Sequence, residues 1–176
     1  MKKIIAFAGS NHSKSVNQQL IEIVSAYVKT AEVEVLNLRN FEAVMYGLDE
    51  EENNGYPESM KRLHKITREA DGFIVASPEY NGMIPSVFKN TIDWLSRMGG
   101  KVFNEKPVVF LSSSPGPRGG VTALGQLLST MPYRGAKVVG GHGVGNINEK
   151  IEGNELVAGE DKESILKLLK QLEEEL

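Results

Sequence analysis

The chain has 176 residues, 40% hydrophobic and 24% charged, with a net charge of −3 and no cysteine. This balance is globular rather than disordered. It excludes a strongly basic nucleic-acid surface, and with it disulfides, thiolate metal sites, iron–sulfur clusters and thiol nucleophiles. No apolar stretch is long enough to span a membrane, and the sequence predicts a cytoplasmic protein forming one domain over residues 1–176.

The first element is a continuous apolar run from Ile4 to Ala8, which reads as a strand buried on both faces. It stops at Gly9 with no cleavage-site pattern behind it, so a signal peptide is not expected. After a polar loop, helical spacing begins near Asn17, with Leu20, Ile21, Val24 and Val28 on one stripe. Glu32 to Leu38 alternates as a half-exposed edge strand. Asp49 to Gly55 reads as an acidic, solvated loop, and Glu58 to Ala70 as an amphipathic helix. Phe73 to Ala76 is a second buried strand, stopped by Ser77-Pro78. Ser86 is expected to cap a helix running to about Met98. Pro107 opens a third buried strand through Leu111. A helix follows around Val121 to Ser129, then a last strand, Lys137-Val138-Val139. Gly140 to Gly159 reads as irregular. Ile165, Leu168, Leu169, Leu172 and Leu176 mark a C-terminal helix whose three terminal glutamates should fray it. The alternation of strand and helix argues for a parallel sheet covered on both faces, with ligands bound beyond the carboxyl ends of its strands.

Three strand-end loops carry unusual residues. Gly9 to Asn17 joins a strand to a helix N-terminus and offers Ser10, Ser13, Ser15, Asn17 and the charge of Lys14. A helix cap needs one such residue, whereas this loop has five serines and asparagines, Asn11 included, a set that fits an anion such as phosphate. The Walker A pattern and the G-x-G-x-x-G fingerprint are both absent. The second loop, Ser77 to Pro85, holds Tyr80 and Asn81-Gly82 between two prolines. It suits a flat heterocycle or is an ordinary turn. The third, Ser112 to Gly120, is rich in Ser, Pro and Gly and is either a ligand loop or a plain connection, with Arg118 available to a phosphate or a carbonyl.

Together these motifs resemble the NADPH-dependent FMN reductases of the flavodoxin-like fold, a family that includes chromate and quinone reductases and azoreductase-like members. Gly9-Ser10, Ser15 and Asn17 match its first loop. Ser77, Pro78, Glu79, Tyr80, Asn81, Pro85, Lys89, Asn90, Ile92, Asp93 and Trp94 fit its central signature, and Gly119-Gly120 its third loop. The resemblance implies a doubly wound five-stranded parallel sheet of order 2-1-3-4-5 with helices on both faces, and a bound FMN. Ser10, Ser15 and Asn17 would hold the phosphate, with His12 and Val16 also among the cofactor-binding residues. Pro78, Glu79, Tyr80 and Asn81 would line the isoalloxazine ring, and Ser112, Ser113, Ser114, Gly116, Gly119 and Gly120 would wrap its other side. The family often has arginine at the position of His12, so phosphate charge compensation here falls more on Lys14 and the helix end.

The resemblance further implies a homodimer or homotetramer that passes electrons from NADPH or NADH through FMN to a small acceptor: a quinone, flavin, azo compound or metal ion. A shared flavin face predicts ping-pong kinetics, with no catalytic side chain. The alternative is a flavodoxin-type electron carrier, which typically has a threonine-rich phosphate loop and a more acidic surface. A phospho-acceptor receiver domain is rejected, because Ala8-Gly9 and Ser77 stand where it needs acids. His64 reads as solvated. His142 has no acidic neighbour in sequence, so no metal site is expected there.

Overall fold

A computed structural model describes residues 1–176. Along its three central strands, successive side chains enter two separate cores. In β1 (Lys3–Ala8), Ile5 and Phe7 face one side, and Ile4, Ala6 and Ala8 the other. β3 (Gly72–Ala76) divides Phe73 and Val75 from Ile74 and Ala76. β4 (Lys106–Ser113) divides Val108 and Phe110 from Val109 and Leu111. Strands covered on both faces show water no polar side, hence their unbroken apolar runs. With β2 (Glu32–Asn37) and β5 (Ala136–Val144) on the edges, all neighbours pair in parallel in the order β2-β1-β3-β4-β5. This is the expected flavodoxin-like topology.

Helices α1 (Val16–Ser25) and α6 (Glu160–Glu174) cover one face through Leu20, Ile21, Val24, Ile165, Leu169 and Leu172. Helices α3 (Glu58–Arg68), α4 (Ser86–Arg97) and α5 (Val121–Thr130) cover the other through Met60, Leu63, Phe88, Trp94, Leu124 and Leu127. There Phe103 meets Phe73 and Phe110 edge to face, with ring centroids 5.2 and 5.9 Å away. Each fully buried phenylalanine contributes about 1.5–3 kcal/mol through area removed from water.

Six elements depart from the sequence reading. The acidic loop is a helix, α2 (Leu48–Asn54), ended by Gly55 at φ +71°. Asp49, Glu50 and Glu51 lie in its first turn, where acids suit the helix dipole. Glu51 accepts hydrogen bonds from Tyr46 Oη (3.0 Å) and Arg97 Nε (2.9 Å). No residue of α2 is buried, so it carries no apolar stripe to read. The last strand does not stop at Val139 but continues to Val144. Its glycines let helices pack closely: a Cβ on Gly140 would lie 2.6 Å from Leu168, and one on Gly141 3.0 Å from Leu128. Beyond it, β6 (Ile151–Glu152) and β7 (Glu155–Leu156) form a small antiparallel pair. At the C-terminus, Glu173 ties α6 down rather than fraying it. Its Oε1 accepts from the backbone N–H of Lys29 at 2.8 Å, and from the backbone N–H and hydroxyl of Thr30. Ser86 is the first residue of α4, and Pro85 takes the cap position. His142 gains an acidic partner from the fold, with Nε2 2.7 Å from Asp161, which also pairs with Lys150.

Candidate functional site

The site begins where β1 ends. Gly9 continues the sheet by donating to Ala76 O at 2.7 Å, and a Cβ there would lie 2.4 Å from the Phe88 ring. Only glycine lets the chain turn this close to α4. Ser10 follows, 5% exposed, its hydroxyl accepting from His12 N–H at 3.2 Å. Ser15 caps α1, its Oγ accepting from Gln18 N–H at 3.3 Å. The first turn of α1 holds no acid, and the N–H groups of Val16 and Asn17 have no partner within the chain. This helix end therefore presents bare donors and roughly half a positive charge. His12 and Lys14 stand exposed beside it.

The Asn17 side chain, expected at the phosphate, turns inward. It is 1% exposed; Nδ2 donates to Ser113 O and Oδ1 accepts from Ser113 N–H, both at 2.9 Å. The first loop is thereby locked to the end of β4, and Asn17 offers the cleft its backbone N–H. Ser113 Oγ is buried with no hydrogen-bond partner, a state that is rare without a ligand or water to satisfy it.

In the second loop, Tyr80 and Met83 exchange backbone hydrogen bonds of 2.9 and 3.1 Å around Asn81 (φ +54°) and Gly82 (φ +76°). This is the tight hairpin that the Asn-Gly pair encodes. It presents Tyr80, 49% exposed, on the rim, with Pro78 buried behind. The Glu79 carboxylate accepts from Thr122 and Ala123 N–H at the start of α5.

The third loop is built by close approach. Ser112 is fully buried and donates to Ser77 O at 2.7 Å, so its hydroxyl faces the interior. Gly120 at φ +70° packs on it, and a Cβ would lie 2.0 Å from Ser112 Oγ. A Cβ on Gly119 would come within 2.9 Å of the Gly143 and Gly145 backbone. Segment 144–147 straps the loop through Asn146 N–H to Gly116 O (2.9 Å) and Ile147 N–H to Ser114 O (3.1 Å). The sequence reading missed this strap. The signal available was the run Gly143-Val144-Gly145-Asn146, since a Cβ on Gly145 would lie 2.2 Å from Pro117 O.

The three loops bound one cleft of about 270 Å³. It brings together Ser10, His12, Ser15, Val16, Asn17, Pro78, Glu79, Tyr80, Ser113 and Ser114, and adds Lys14 and Pro115. Asn81, Ser112, Gly116, Gly119 and Gly120 do not line it; they shape the turns behind it. Asn90 and Trp94 of the central signature act further back. Asn90 accepts from Tyr46 N–H at 2.7 Å and donates to Val44 O at 3.0 Å, and Trp94 Nε1 donates to Val44 O at 2.8 Å, clamping the loop that follows β2. Lys89 pairs with Asp93 on the surface, a contact worth little energetically.

These residues fit FMN. The free N–H groups of Val16 and Asn17 beside Lys14 would suit its phosphate, the orphaned Ser113 hydroxyl would offer a further polar contact, and the half-exposed Tyr80 would wall a flat ring. Comparison with known proteins agrees. The model of the family "NADPH-dependent FMN reductase" matches residues 2–149. A quinone reductase of Escherichia coli is 30% identical over 138 residues, covering 78% of this chain and 73% of the relative. An NAD(P)H-dependent FMN reductase of Pseudomonas aeruginosa is 30% identical over 135 residues, covering 74% and 70%. In fold, the chain is similar to the flavoenzyme NAD(P)H:(acceptor) oxidoreductase FerB of Paracoccus denitrificans, with TM-score 0.78 at 21% identity over 99% of both chains. The chain belongs to the NADPH-dependent FMN reductase family.

Proposed function

We propose that the chain works as an FMN-dependent NAD(P)H oxidoreductase in the cytoplasm, as a single domain assembled into a homodimer or homotetramer. The observation that carries this is the uncompensated start of α1, with free N–H groups on Val16 and Asn17, opening into a cleft shared by all three strand-end loops. No helix is long and apolar enough to cross a membrane.

FMN, when bound, supplies the two-electron chemistry, so no acid or base is required of the protein. The chain's own task is placement. Ser10, Ser15, the α1 N–H groups and Lys14 hold the phosphate, with His12 beside them. Pro78 and Tyr80 wall the ring, and Ser113 and Ser114 close the opposite side. NAD(P)H and the acceptor reach the ring through the same opening in turn. Quinones are the favoured acceptors, since a relative at 30% identity carries that name. Flavins, azo compounds and metal ions are further candidates.

The test is an absorption spectrum of the purified protein, followed by titration of FMN into wild type and Ser15→Ala. Oxidised-flavin bands bleached by NADPH are expected in the wild type. Loss of one hydrogen bond to a charged phosphate should weaken FMN binding about 10- to 100-fold in the variant. Equal affinities would sink the phosphate assignment.

A further inference from the structure

One helix, α1, starts in this cleft; another, α5, starts behind the cleft-lining Glu79, and the chain treats the two starts differently. At the start of α1, Ser15 takes the Gln18 N–H, while the N–H groups of Val16 and Asn17 stay free. The start of α5 is Gly120, which has no side chain with which to cap. No larger residue fits there, given φ +70° and the Ser112 hydroxyl 2.0 Å from any Cβ. Yet the N–H groups of Thr122 and Ala123 are satisfied. Both donate to a single oxygen, Glu79 Oε2, at 2.8 and 3.0 Å. The cap comes from the second loop, 43 residues earlier in sequence.

We infer that Glu79 is a positioning residue that locks the second loop to the third and offsets the positive end of α5 beside the cleft. This rests on the reading that the cleft takes FMN. A helix N-terminus carries about half a positive charge, and a carboxylate within its first turn offsets it. With α5 offset in this way, the free N–H groups of Val16 and Asn17 are the helix-end donors that line the cleft, and its wall on the side of the second loop keeps a fixed carboxylate. That carboxylate also disfavours added negative charge on the ring.

The single-oxygen geometry separates the two roles. Glu79→Gln retains an oxygen able to accept both N–H groups but loses the charge. Glu79→Ala loses both. The readouts are FMN and riboflavin affinity of the flavin-free proteins, amide exchange at Thr122 and Ala123, and the midpoint potential of bound FMN. Glu79→Ala should weaken FMN and riboflavin alike, by about tenfold, because the ring side loosens while the phosphate contacts persist. Its Thr122 and Ala123 amides should exchange faster even without flavin. Glu79→Gln should keep those amides protected and riboflavin affinity within about twofold, but shift the potential of bound FMN upward. An unchanged potential in Glu79→Gln overturns the inference, as do unchanged affinities and exchange in Glu79→Ala. A wild type that binds neither flavin overturns the functional reading, and the inference with it. Flavin binding by the wild type with silent variants overturns the inference alone.

Discussion

Asn17→Ala should be among the most damaging single changes in the first loop, and it should act on stability before it acts on binding. The wild-type side chain is 1% exposed and makes two hydrogen bonds of 2.9 Å to the amide and carbonyl of Ser113, 96 residues away. Truncation leaves both backbone groups buried without partners. Each such group costs about 1–3 kcal/mol, so the pair predicts a loss of about 2–6 kcal/mol. In a chain of this size each kcal/mol lowers the melting temperature by about 2–4 °C, so the expected drop is roughly 4–24 °C. The assay is urea unfolding of the flavin-free protein, read as a change in midpoint at constant slope. Asn17→Asp sharpens the test. It keeps the shape but cannot donate to Ser113 O while ionised, so at neutral pH it should destabilise at least as much as alanine. Acidification should then restore part of the loss as the carboxyl regains a proton. A loss below about 0.5 kcal/mol for Asn17→Ala would mean that the Ser113 groups find other partners, and would refute the lock.

Three further outcomes are expected. Tyr80→Phe should retain most activity, because the ring rather than the hydroxyl walls the cleft; a loss beyond about a hundredfold with FMN still bound would make the hydroxyl essential. Asp71 accepts from Lys3 N–H at 3.0 Å and pairs with Lys2 at 3.1 Å, and the backbone donor first, then Lys2, holds its carboxyl below the usual aspartate range. A depressed carboxylate stabilises above its unfolded pKa and loses that contribution as pH falls through the folded value. The stability gap between wild type and Asp71→Asn, measured by urea unfolding, should therefore be present at neutral pH and close below the ordinary aspartate range; a gap constant with pH would count against it. Steady-state rates with a quinone at several fixed NADPH levels should give parallel double-reciprocal lines, with excess quinone competitive against NADPH, since a hydride moves only at near-contact distance. Intersecting lines with FMN retained would require a ternary complex.

The sheet was legible because its three central strands are buried on both faces and read as apolar runs. Two elements were not, for opposite physical reasons. α2 buries nothing, so its sequence carries charge and no stripe; its stability comes from dipole-matched acids and the bonds of Glu51 to Tyr46 and Arg97. The second half of β5 does pack, but through glycines, whose contribution is the side chain they lack. Leu168 and Leu128 approach where a Cβ would stand. Hydropathy sees neither case.

The candidate site was legible as a set of loops and less so as a set of roles, because Ser, Asn and Gly serve ligand and packing equally well. Periodicity resolves part of this. Asn17 stands three, four and seven residues before Leu20, Ile21 and Val24, which places it on the buried stripe of α1. Ser15, two residues earlier, lies about 200° around the helix and faces away from that stripe. The same reasoning on β4 sets Ser113 in phase with Val109 and Leu111, on the face that α1 covers, and Ser112 in phase with Val108 and Phe110 on the other. Asn17 and Ser113 thus had to meet, and Ser112 had to turn toward α4 and α5. The Glu79 cap follows no such rule. It depends on the second and third loops lying side by side, which the pairing of β3 with β4 brings about, and on a glycine at the α5 cap that leaves two N–H groups for another residue to satisfy.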